Sequence, residues 1–364
     1  MCTRQGLFLP DADKVRRRTD DRVLSLRKLR PSMEGKLAHS NAALVLVMRI
    51  LAVSCIASLL VTESYAKSSA DGIHAAPFSI VVFMCVWRRP LLTDFVLSQY
   101  SASKKRLVKQ GVLLDLFLTG SDNATTSALA QKYSASFVIH PNSPLGAKHN
   151  KGIQSMRSYY EDRKRRGKQA AVPHAVAIVG SDDVINDKFF LQVRNLMHVR
   201  PPAQHVVGLR DIHFFDLKSR RLVYTRGYRS FTTPISGTLG CGRVLSWSIL
   251  DALDWYVWDN ERERGLDQSA IRNVMRRIPL VGEVSGAIAG RETGIVAVDI
   301  KSDAFATGAN IWKFEQVVEA VGKNGRLHAF VDFDARAALT AAFGGEFMAG
   351  LESLRAEMER LESD

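Results

Sequence analysis

The chain has 364 residues, of which 46% are hydrophobic and 24% are charged, and its formal net charge is +13. This composition is ordinary for a globular protein, whereas the excess of basic residues favours an anionic partner such as nucleic acid, lipid or a diphosphate group. The sequence has no aromatic–basic interleaving, zinc-finger spacing or recognition-helix signature, so no nucleic-acid partner is expected.

The amino-terminal part has the pattern of a targeting segment. Residues 1–41 form a basic tail, residues 42–62 are predominantly apolar apart from Arg49, and residues 63–76 form a short stem. An apolar stretch of this length spans a bilayer as a helix, and the basic residues before it favour the cytoplasmic side for the tail. We therefore expect a single-pass type II membrane protein with a lumenal domain in a Golgi- or ER-like compartment.

Two other interpretations of this region stay open. From Met48, a short basic start, an apolar core and small residues are typical of a cleavable signal peptide, which would leave a secreted or lumenal protein. Alternatively, the segment is a buried helix of a cytosolic protein. The triplet Asn123-Ala124-Thr125 is a glycosylation sequon that fits a lumenal domain, but Asp122 or Asn123 equally fits the cap of a following helix.

From Pro77 the pattern alternates between strands and helices. Strands are predicted at Phe78–Val86, Val112–Leu118, Phe137–His140 and Ala175–Val179, and helices at Leu91–Gln110, Thr125–Tyr133 and Asn150–Arg165. This alternation predicts an α/β domain with a mainly parallel sheet that helices cover on both faces. Ligands of such sheets bind outside the carboxyl ends of the strands, where three of these four strands end in polar residues.

Beyond Pro201-Pro202 the chain is first strand-rich and then helical. The predicted elements are a hairpin of His205–Leu217 with Leu222–Tyr228, and helices at Val244–Trp258, Gln268–Arg277 and residues 346–363. The last helix belongs to a C-terminal segment, residues 336–364, and carries an apolar stripe. The stripe is too short for three heptads, so we expect it to dock on the body of the protein rather than form a coiled coil.

The cysteines and the common catalytic motifs do not indicate a type of reaction for this protein. Cys2, Cys55, Cys85 and Cys241 form no CxxC pair; isolated thiols are the simplest interpretation, with a Cys85–Cys241 disulfide as the alternative. The histidines form no metal-binding motif, and the sequence contains no P-loop, no Gly-x-Ser-x-Gly elbow and no complete GxGxxG.

The fourth predicted strand ends in the acidic turn Gly180-Ser181-Asp182-Asp183. A leaving diphosphate gathers negative charge, and a divalent cation held by carboxylate oxygens can neutralise that charge. We expect Asp183 to bind Mn²⁺ or Mg²⁺, and Asp182, beside Ser181, to contact the metal or the ligand. Turns also favour aspartate for structural reasons, so the pair alone is weak evidence.

A polar, glycine-containing segment precedes that strand and supplies the missing context. It contains Asn142, Gly146, Lys148, Asn150 and Gly152 in the stretch PNSPLGAKHNKGI. The order of strand, polar segment, helix and apolar strand ending in an acidic pair resembles the family 2-like glycosyltransferases of the GT-A fold. The resemblance covers residues 77–270.

The resemblance implies a GT-A-type three-layer domain over residues 77–335, with a mainly parallel central sheet and a strand-rich acceptor half. It implies a nucleoside-diphosphate sugar as the donor, with Lys148 at the diphosphate or base and Asn150 at the ribose or base. Asn142, Gly146 and Arg88 would belong to the same donor site. The structural alternatives make Gly146 a turn residue and Asn150 a helix cap.

Two departures from the family pattern limit what the resemblance implies. The resemblance implies a uridine contact by Asp122, but the second predicted strand ends in Thr-Gly-Ser-Asp, where a double acidic motif is common in the family. The Gln-x-x-Arg-Trp motif of processive polysaccharide synthases is absent, because Gln268 is followed by Ser269-Ala270-Ile271-Arg272. This absence favours addition of a single sugar over processive polymerisation.

An inverting reaction also needs a base that deprotonates the acceptor hydroxyl. Gly240-Cys241-Gly242-Arg243 resembles the family's acceptor loop, and by position Asp267 resembles the family's base, with Asp259 as the second candidate. Asp267 equally fits a cap of the helix that follows it. Trp255 and Trp258 lie nearby and either stack on a sugar or belong to the core.

The expected function is metal-assisted transfer of a sugar from a nucleoside diphosphate to a hydroxyl of a glycan, protein or lipid, with inversion. One alternative is a nucleotidyltransferase on a related fold, but the glycine-rich loop it would need after the first strand is absent from residues 86–90. Another is a membrane-anchored protein that kept the fold without catalysis.

Overall fold

The described part of the chain contains two β-sheets and the helices that cover them. The structure is a computed structural model, and it describes residues 77–167, 172–199, 206–227, 235–278, 281, 285–305, 312–323 and 334–364. The predicted tail, apolar segment and stem lie outside these residues. Among the helices that are described, none combines the length and the apolar composition needed to cross a bilayer.

The first half of the domain alternates between strands and helices, as predicted. Its elements are β1 (Phe78–Cys85), α1 (Pro90–Leu107), β2 (Val112–Gly120), α2 (Asn123–Tyr133), β3 (Ser136–Ile139), α3 (Leu145–Arg165) and β4 (Ala175–Gly180). The four strands pair in parallel in the spatial order β4-β1-β2-β3. The continuous apolar run of β1 is buried because both of its edges are paired and both of its faces are covered.

The second half is more irregular. Its elements are β5 (Asp183–Ile185), α4 (Asp187–Val199), β6 (Val206–Leu209), β7 (Asp211–Asp216), β8 (Leu222–Arg226), β9 (Arg243–Ser246), α5 (Trp247–Ala252), α6 (Leu266–Arg277), β10 (Ser285–Ile288), α7 (Gly290–Thr293), β11 (Ala297–Lys301), α8 (Phe314–Lys323), α9 (Ala335–Phe343) and α10 (Gly345–Ser363). In this half, β9 lies antiparallel between β4 and β6.

The strands of both halves combine into a large and a small sheet. The seven-stranded sheet has the order β10-β6-β9-β4-β1-β2-β3, and the four-stranded sheet has the order β5-β11-β7-β8. Apart from β9, the neighbouring strands of the large sheet pair in parallel. This mixed α/β architecture, with a mostly parallel central sheet, fits the GT-A type of fold.

Two apolar clusters cover the two faces of the central sheet. One includes α1, α4 and α10, and the other includes α3, α5 and α6. The apolar stripe of α10 is buried, and Phe347 packs against Phe95 of α1 with ring centroids 5.4 Å apart. The expected docking of the terminal helix is therefore confirmed.

The helix predicted over Val244–Trp258 is wrong at both ends. Arg243–Ser246 form the strand β9, which lies between β4 and β6, and only Trp247–Ala252 are helical. Val244 and Leu245 are fully buried between two partner strands, so sheet pairing prevails over the helical spacing of the apolar residues. The helix α5 starts where the Ser246 hydroxyl accepts a hydrogen bond from the Ile249 amide at 3.3 Å.

The prediction of a single strand over His205–Leu217 is also wrong. This range contains both β6 and β7, which belong to different sheets. The chain changes sheets at Arg210, whose amide donates to the Ile288 carbonyl at 2.9 Å. The predicted pairing with the following strand is found only in the small sheet, where β7 pairs antiparallel with β8.

The helix α3 begins at Leu145, five positions before the predicted start at Asn150. The structural alternative took Gly146 for a turn residue, whereas the structure places it in the first turn of the helix. A Cβ at Gly146 would lie 2.0 Å from the Asp259 carbonyl oxygen, so glycine is needed for a close helix–loop contact. Because α3 begins at Leu145, Gly146, Lys148 and Asn150 all belong to this one helix.

Candidate active site

A cavity of about 260 Å³ opens at the carboxyl ends of β1 and β4. Its position agrees with the rule that α/β sheets bind ligands outside their strand ends. The structure brings to its wall six of the residues singled out from the sequence, namely Asn142, Lys148, Ser181, Asp182, Asp183 and Asp267.

Three aspartates form an acidic cluster in this cavity. Asp182 and Asp183 follow β4, and Asp299 comes from β11 of the small sheet. One carboxylate oxygen of each residue lies within 4.8 Å of those of the other two. Asp183 and Asp299 are directly opposite each other in the antiparallel β5–β11 pair, so the small sheet completes the cluster.

The turn that carries the acidic pair needs a glycine. A Cβ at Gly180 would lie 2.6 Å from Asp183 Oδ2 and 2.7 Å from Asp182 Oδ1. The Gly180 amide donates to Asp183 Oδ2 at 2.7 Å. Both carboxylates therefore fold back over the end of β4 because position 180 has no side chain.

Two basic side chains partly neutralise the acidic cluster. Arg89 donates to Asp182 Oδ2 at 2.5 Å and to the Ser181 hydroxyl at 2.8 Å. Lys301 Nζ lies 2.8 Å from Asp299 Oδ2 and 3.8 Å from Asp182 Oδ2. Burial opposes ionisation of Asp182, but Arg89 and Lys301 outweigh burial and lower the pKa of its carboxyl group.

Burial and the repulsion between like charges raise the pKa values of the other two carboxyl groups. Burial, together with the charges of Asp299 and Asp182, raises the pKa of Asp183 well above its usual value. Burial raises the pKa of Asp299 to about 6 against the opposing effect of Lys301. Three carboxylates therefore share two cationic partners, and a further positive charge would relieve the repulsion between them.

The cluster fits a divalent cation. Asp299 Oδ1 is buried and has no hydrogen-bond partner within the described part of the chain. A buried oxygen without a partner is costly, and hard cations such as Mg²⁺ and Mn²⁺ prefer carboxylate oxygens. The donor set of Asp182, Asp183 and Asp299 therefore matches the chemistry of these ions.

Lys148 lies in the wall of the cavity, almost completely buried. Its ammonium group donates to the Val86 carbonyl at 2.8 Å and to Asn142 Oδ1 at 2.9 Å, and burial lowers its pKa. Asn142 therefore orients Lys148. The predicted contact of Lys148 with a diphosphate or base stays a prediction.

Asn150 is not among the residues that line the cavity, and its side chain holds the loop of residues 257–260. Its Oδ1 accepts from the amides of Val257 and Trp258, each at 3.0 Å, and its Nδ2 donates to the Trp258 carbonyl and to Asn260 Oδ1, at 2.7 and 2.9 Å. These bonds use all four hydrogen-bonding positions of the amide, which argues against the predicted contact with ribose or base. The contact instead fixes Trp258, which lines the cavity, against α3.

Asp122 and Arg88 lie at a second, neighbouring cavity of about 230 Å³. Asp122 caps α2, accepting from the amides of Ala124 and Thr125 at 3.1 and 3.2 Å, as the structural alternative for this residue predicted. The Arg88 guanidinium stacks on the Trp87 ring, 4.5 Å from its centroid. Trp87 and Arg89 line both cavities, so the two cavities are neighbours. The predicted roles of Asp122 and Arg88 in donor binding stay predictions.

Asp267 lies in the first turn of α6 and lines the main cavity. Its Oδ2 accepts from the Gly240 amide at 3.0 Å, and a Cβ at Gly240 would lie 1.9 Å from its Oδ1. The N-cap position of α6 is held by Gly265 rather than by Asp267. Gly240, in the predicted acceptor loop, therefore orients the carboxylate of Asp267.

Asp259, the second candidate base, is not among the residues that line the cavity. Its Oδ1 accepts from Asn273 Nδ2 at 3.2 Å, and its Oδ2 lies 3.5 Å from Arg262 Nε. The hydrogen bond from Asn273 is the largest of several effects that lower the pKa of Asp259. A lowered pKa and a position outside the cavity make Asp259 a poor candidate for the base.

Sequence reasoning missed four further groups in the cavity wall: Arg89, His149, Asp299 and Lys301. The alternation Val298-Asp299-Ile300-Lys301 signals a strand with two polar residues on one face, but it does not reveal which sheet that strand joins. Cys85 and Cys241 also line the cavity and are both free thiols, so the alternative of a disulfide is wrong. Trp255 belongs to the core, as its structural alternative predicted.

Sequence comparisons do not add a family, because no family model matches the chain and no curated protein matches it. The fold is similar to several solved structures. S. aureus TarS, in a structure of residues 1–349, is 13% identical with a TM-score of 0.39, and the match covers 76% of this chain and 72% of that chain.

Two further similar structures are synthases. A 4-diphosphocytidyl-2C-methyl-D-erythritol synthase from Anaerococcus prevotii is 9% identical with a TM-score of 0.37, and the match covers 69% of this chain and 100% of that chain. A mannosyl-3-phosphoglycerate synthase from Rubrobacter xylanophilus is 10% identical with a TM-score of 0.34, and the match covers 71% of this chain and 79% of that chain. These likenesses concern the fold alone.

Proposed function

We propose that this protein transfers a sugar from a nucleoside-diphosphate sugar to a hydroxyl group of a glycan, protein or lipid. The observation that carries the proposal is one cavity lined both by the acidic cluster of Asp182, Asp183 and Asp299 and by Asp267. Sugar transfer needs both parts, because negative charge develops on the leaving diphosphate while the acceptor hydroxyl loses a proton.

The acidic cluster is the proposed diphosphate end of the site. A divalent cation held by Asp183 and Asp299, with Asp182 beside them, would neutralise the charge of the leaving diphosphate. Arg89 holds Asp182 and Ser181 in place, and Lys301 does the same for Asp299. These fixed partners keep the carboxylates oriented before a ligand arrives, which reduces the reorganisation needed for the reaction.

Asp267 is the proposed base. Its carboxylate is held by the Gly240 amide and lines the same cavity, so it can accept the proton of an acceptor hydroxyl that enters there. This role presupposes inversion at the sugar carbon. Addition of one sugar per acceptor, and a lumenal location reached through residues 42–62, remain part of the proposal on sequence grounds alone.

The decisive experiment is a thermal-shift panel of UDP-glucose, UDP-N-acetylglucosamine and GDP-mannose, each with and without Mn²⁺. We expect at least one donor to raise the melting temperature more in the presence of Mn²⁺, and Asp183→Asn to abolish that difference together with turnover. Asp162→Asn, at a surface ion pair of α3, is the matched control and should keep both. If no donor binds in a Mn²⁺-dependent way, the proposed function is wrong.

A second measurement separates the two candidate bases. We expect Asp267→Asn to lower kcat about 10²- to 10⁴-fold while donor binding is retained, because general-base catalysis contributes that much. Asp259→Asn should have a smaller effect, since Asp259 lies outside the cavity. A larger loss of kcat in Asp259→Asn would contradict the assignment of Asp267.

A further inference from the structure

His149 is a polar group in the cavity wall that the proposed reaction does not yet use. It lies on α3, and its Nδ1 is 2.8 Å from the Leu145 carbonyl oxygen one turn earlier. A carbonyl oxygen only accepts hydrogen bonds, so Nδ1 carries the hydrogen and donates it. In the neutral ring the other nitrogen, Nε2, is then an acceptor with a lone pair.

The surroundings of His149 favour the neutral ring. Its ring centroid lies 4.9 Å from that of Trp258 and 6.3 Å from that of Phe83. Burial, together with the neighbouring Lys148 ammonium, lowers the pKa of His149 to about 4 against the opposing effects of its hydrogen bond and Asp267. At neutral pH, Nε2 therefore acts only as a hydrogen-bond acceptor.

Nε2 is also open to a ligand. Within the described part of the chain, Nε2 has no hydrogen-bond partner. It is also not one of the buried polar atoms without a partner, so it is accessible. Because the side chain lines the cavity, this accessible lone pair is available there. An atom that only accepts selects a ligand group that donates, and a sugar offers hydroxyl groups.

We propose that His149 Nε2 accepts a hydrogen bond from a hydroxyl group of the transferred sugar and so contributes to donor selection. This assignment rests on the proposed function. The sugar has to lie between the diphosphate end at Asp183 and the base Asp267. His149 lines that same cavity and lies close enough to Asp267 for their charges to interact.

Two substitutions separate the two nitrogens of the ring. In His149→Asn the amide nitrogen reaches about as far as Nδ1, so the bond to the Leu145 carbonyl can persist while the acceptor in the cavity is lost. In His149→Gln the amide oxygen reaches about as far as Nε2, so an acceptor in the cavity is kept. If His149 acts only through the hydrogen bond of Nδ1, the loss of donor affinity should be equal in the two variants or larger in His149→Gln. If Nε2 contacts the sugar, the loss should be larger in His149→Asn.

The measurement is isothermal titration calorimetry with Mn²⁺, using the tightest-binding donor among UDP-glucose, UDP-N-acetylglucosamine and GDP-mannose, and UDP or GDP as the matching sugar-free probe. We expect His149→Asn to weaken donor binding about tenfold, the value of one hydrogen bond to a buried polar group. Binding of the sugar-free nucleotide should change less than twofold, and His149→Gln should bind the donor within about threefold of wild type.

Three results would overturn the assignment. Equal losses of donor and sugar-free nucleotide would show that His149 supports the nucleotide or the fold, and unchanged donor binding in His149→Asn would show that Nε2 makes no contact. A ¹⁵N NMR spectrum showing Nε2 protonated at pH 7 would remove its premise. By contrast, failure of the wild-type protein to bind any donor would overturn the proposed function itself.

Discussion

Lys301 illustrates how a single residue can prepare a buried acidic site. Its side chain is only 5% exposed, and its ammonium group lies 2.8 Å from Asp299 and 3.8 Å from Asp182. Buried charges are tolerated when they are paired, and removal of one partner leaves the other uncompensated. Lys301 therefore stabilises the acidic cluster together with Arg89, without a bound metal ion.

At the residue scale we expect Lys301→Met to lower the free energy of unfolding by about 2–4 kcal/mol without metal, because Asp299 loses its cationic partner and Asp182 keeps only Arg89. The same change should increase the stabilisation by Mn²⁺, since the cluster becomes more negative. The check is the melting temperature of the variant and of wild type over a Mn²⁺ titration.

Lys218→Met is the matched control for this prediction. Lys218 pairs with Glu362 but is 46% exposed, and exposed ion pairs contribute little. We expect almost no change in either stability or Mn²⁺ response. If Mn²⁺ stabilised Lys301→Met and wild type equally, the proposed use of the cluster for a cation would be contradicted.

The histidine of the cavity gives a second prediction at this scale, on pH dependence. The ordinary pKa of histidine is about 6.5, whereas burial lowers that of His149 to about 4. The unfolded chain therefore binds the proton more readily, so stability present above pH 6.5 is lost as the pH falls towards 4. Lys148 and Asp267 are the charged groups that act on the ring.

We expect wild type to lose about 1–3 kcal/mol more stability than His149→Gln between pH 7 and pH 4.5. Urea denaturation of the two proteins at both pH values measures this difference. The other titrating groups are common to both proteins and cancel in the comparison. An equal loss in the two proteins would mean that His149 titrates normally.

At the scale of elements, α3 connects the two parts of the candidate site. One edge of the helix presents Lys148 and His149 to the cavity, while Asn150 and Gly146 hold the loop of residues 257–260. The sequence motif that resembles a ligand-binding segment is therefore in part a helix–loop contact. Its glycine and asparagine position the wall of the cavity rather than line it.

We expect Asn150→Ala to lower the free energy of unfolding by about 2–4 kcal/mol, because the buried amides of Val257 and Trp258 lose their acceptor. Gln154→Ala is the control one turn later, since Gln154 makes a single bond of 3.3 Å to the Trp255 carbonyl and should cost less than about 1 kcal/mol.

Urea denaturation measures both losses, and hydrogen exchange locates them. Exchange of the Val257 and Trp258 amides should accelerate in Asn150→Ala but not in Gln154→Ala. Unchanged exchange at these two amides would mean that Asn150 does not hold the loop.

At the scale of the whole molecule, the terminal helix α10 joins the body through its buried face. Leu351 is 1% exposed and packs in the same cluster as α1, whereas Leu361 on the same helix is 39% exposed. Leu351→Ala should therefore lower the free energy of unfolding by about 2–5 kcal/mol, and Leu361→Ala by less than about 0.5 kcal/mol. Urea denaturation compares the two, and similar losses would contradict the docking of α10.

The sequence by itself determined the four parallel strands, the helices between them and the acidic turn at the end of β4. These features are local, because apolar continuity, helical spacing and turn residues are written within short stretches of chain. It also indicated Asp267 and Lys148 in the cavity, through a resemblance carried by motif order rather than by distance.

Only the tertiary structure decided which residues complete the site and which support it. Asp299 and Lys301 reach the acidic turn because β11 pairs with β5, and such pairing between distant segments leaves no local pattern in the sequence. The same holds for β9, where burial between two strands prevailed over helical spacing, and for Asn150, whose partners lie on a distant loop. Long-range contacts choose among local alternatives, since the free energy of packing exceeds that of local propensity.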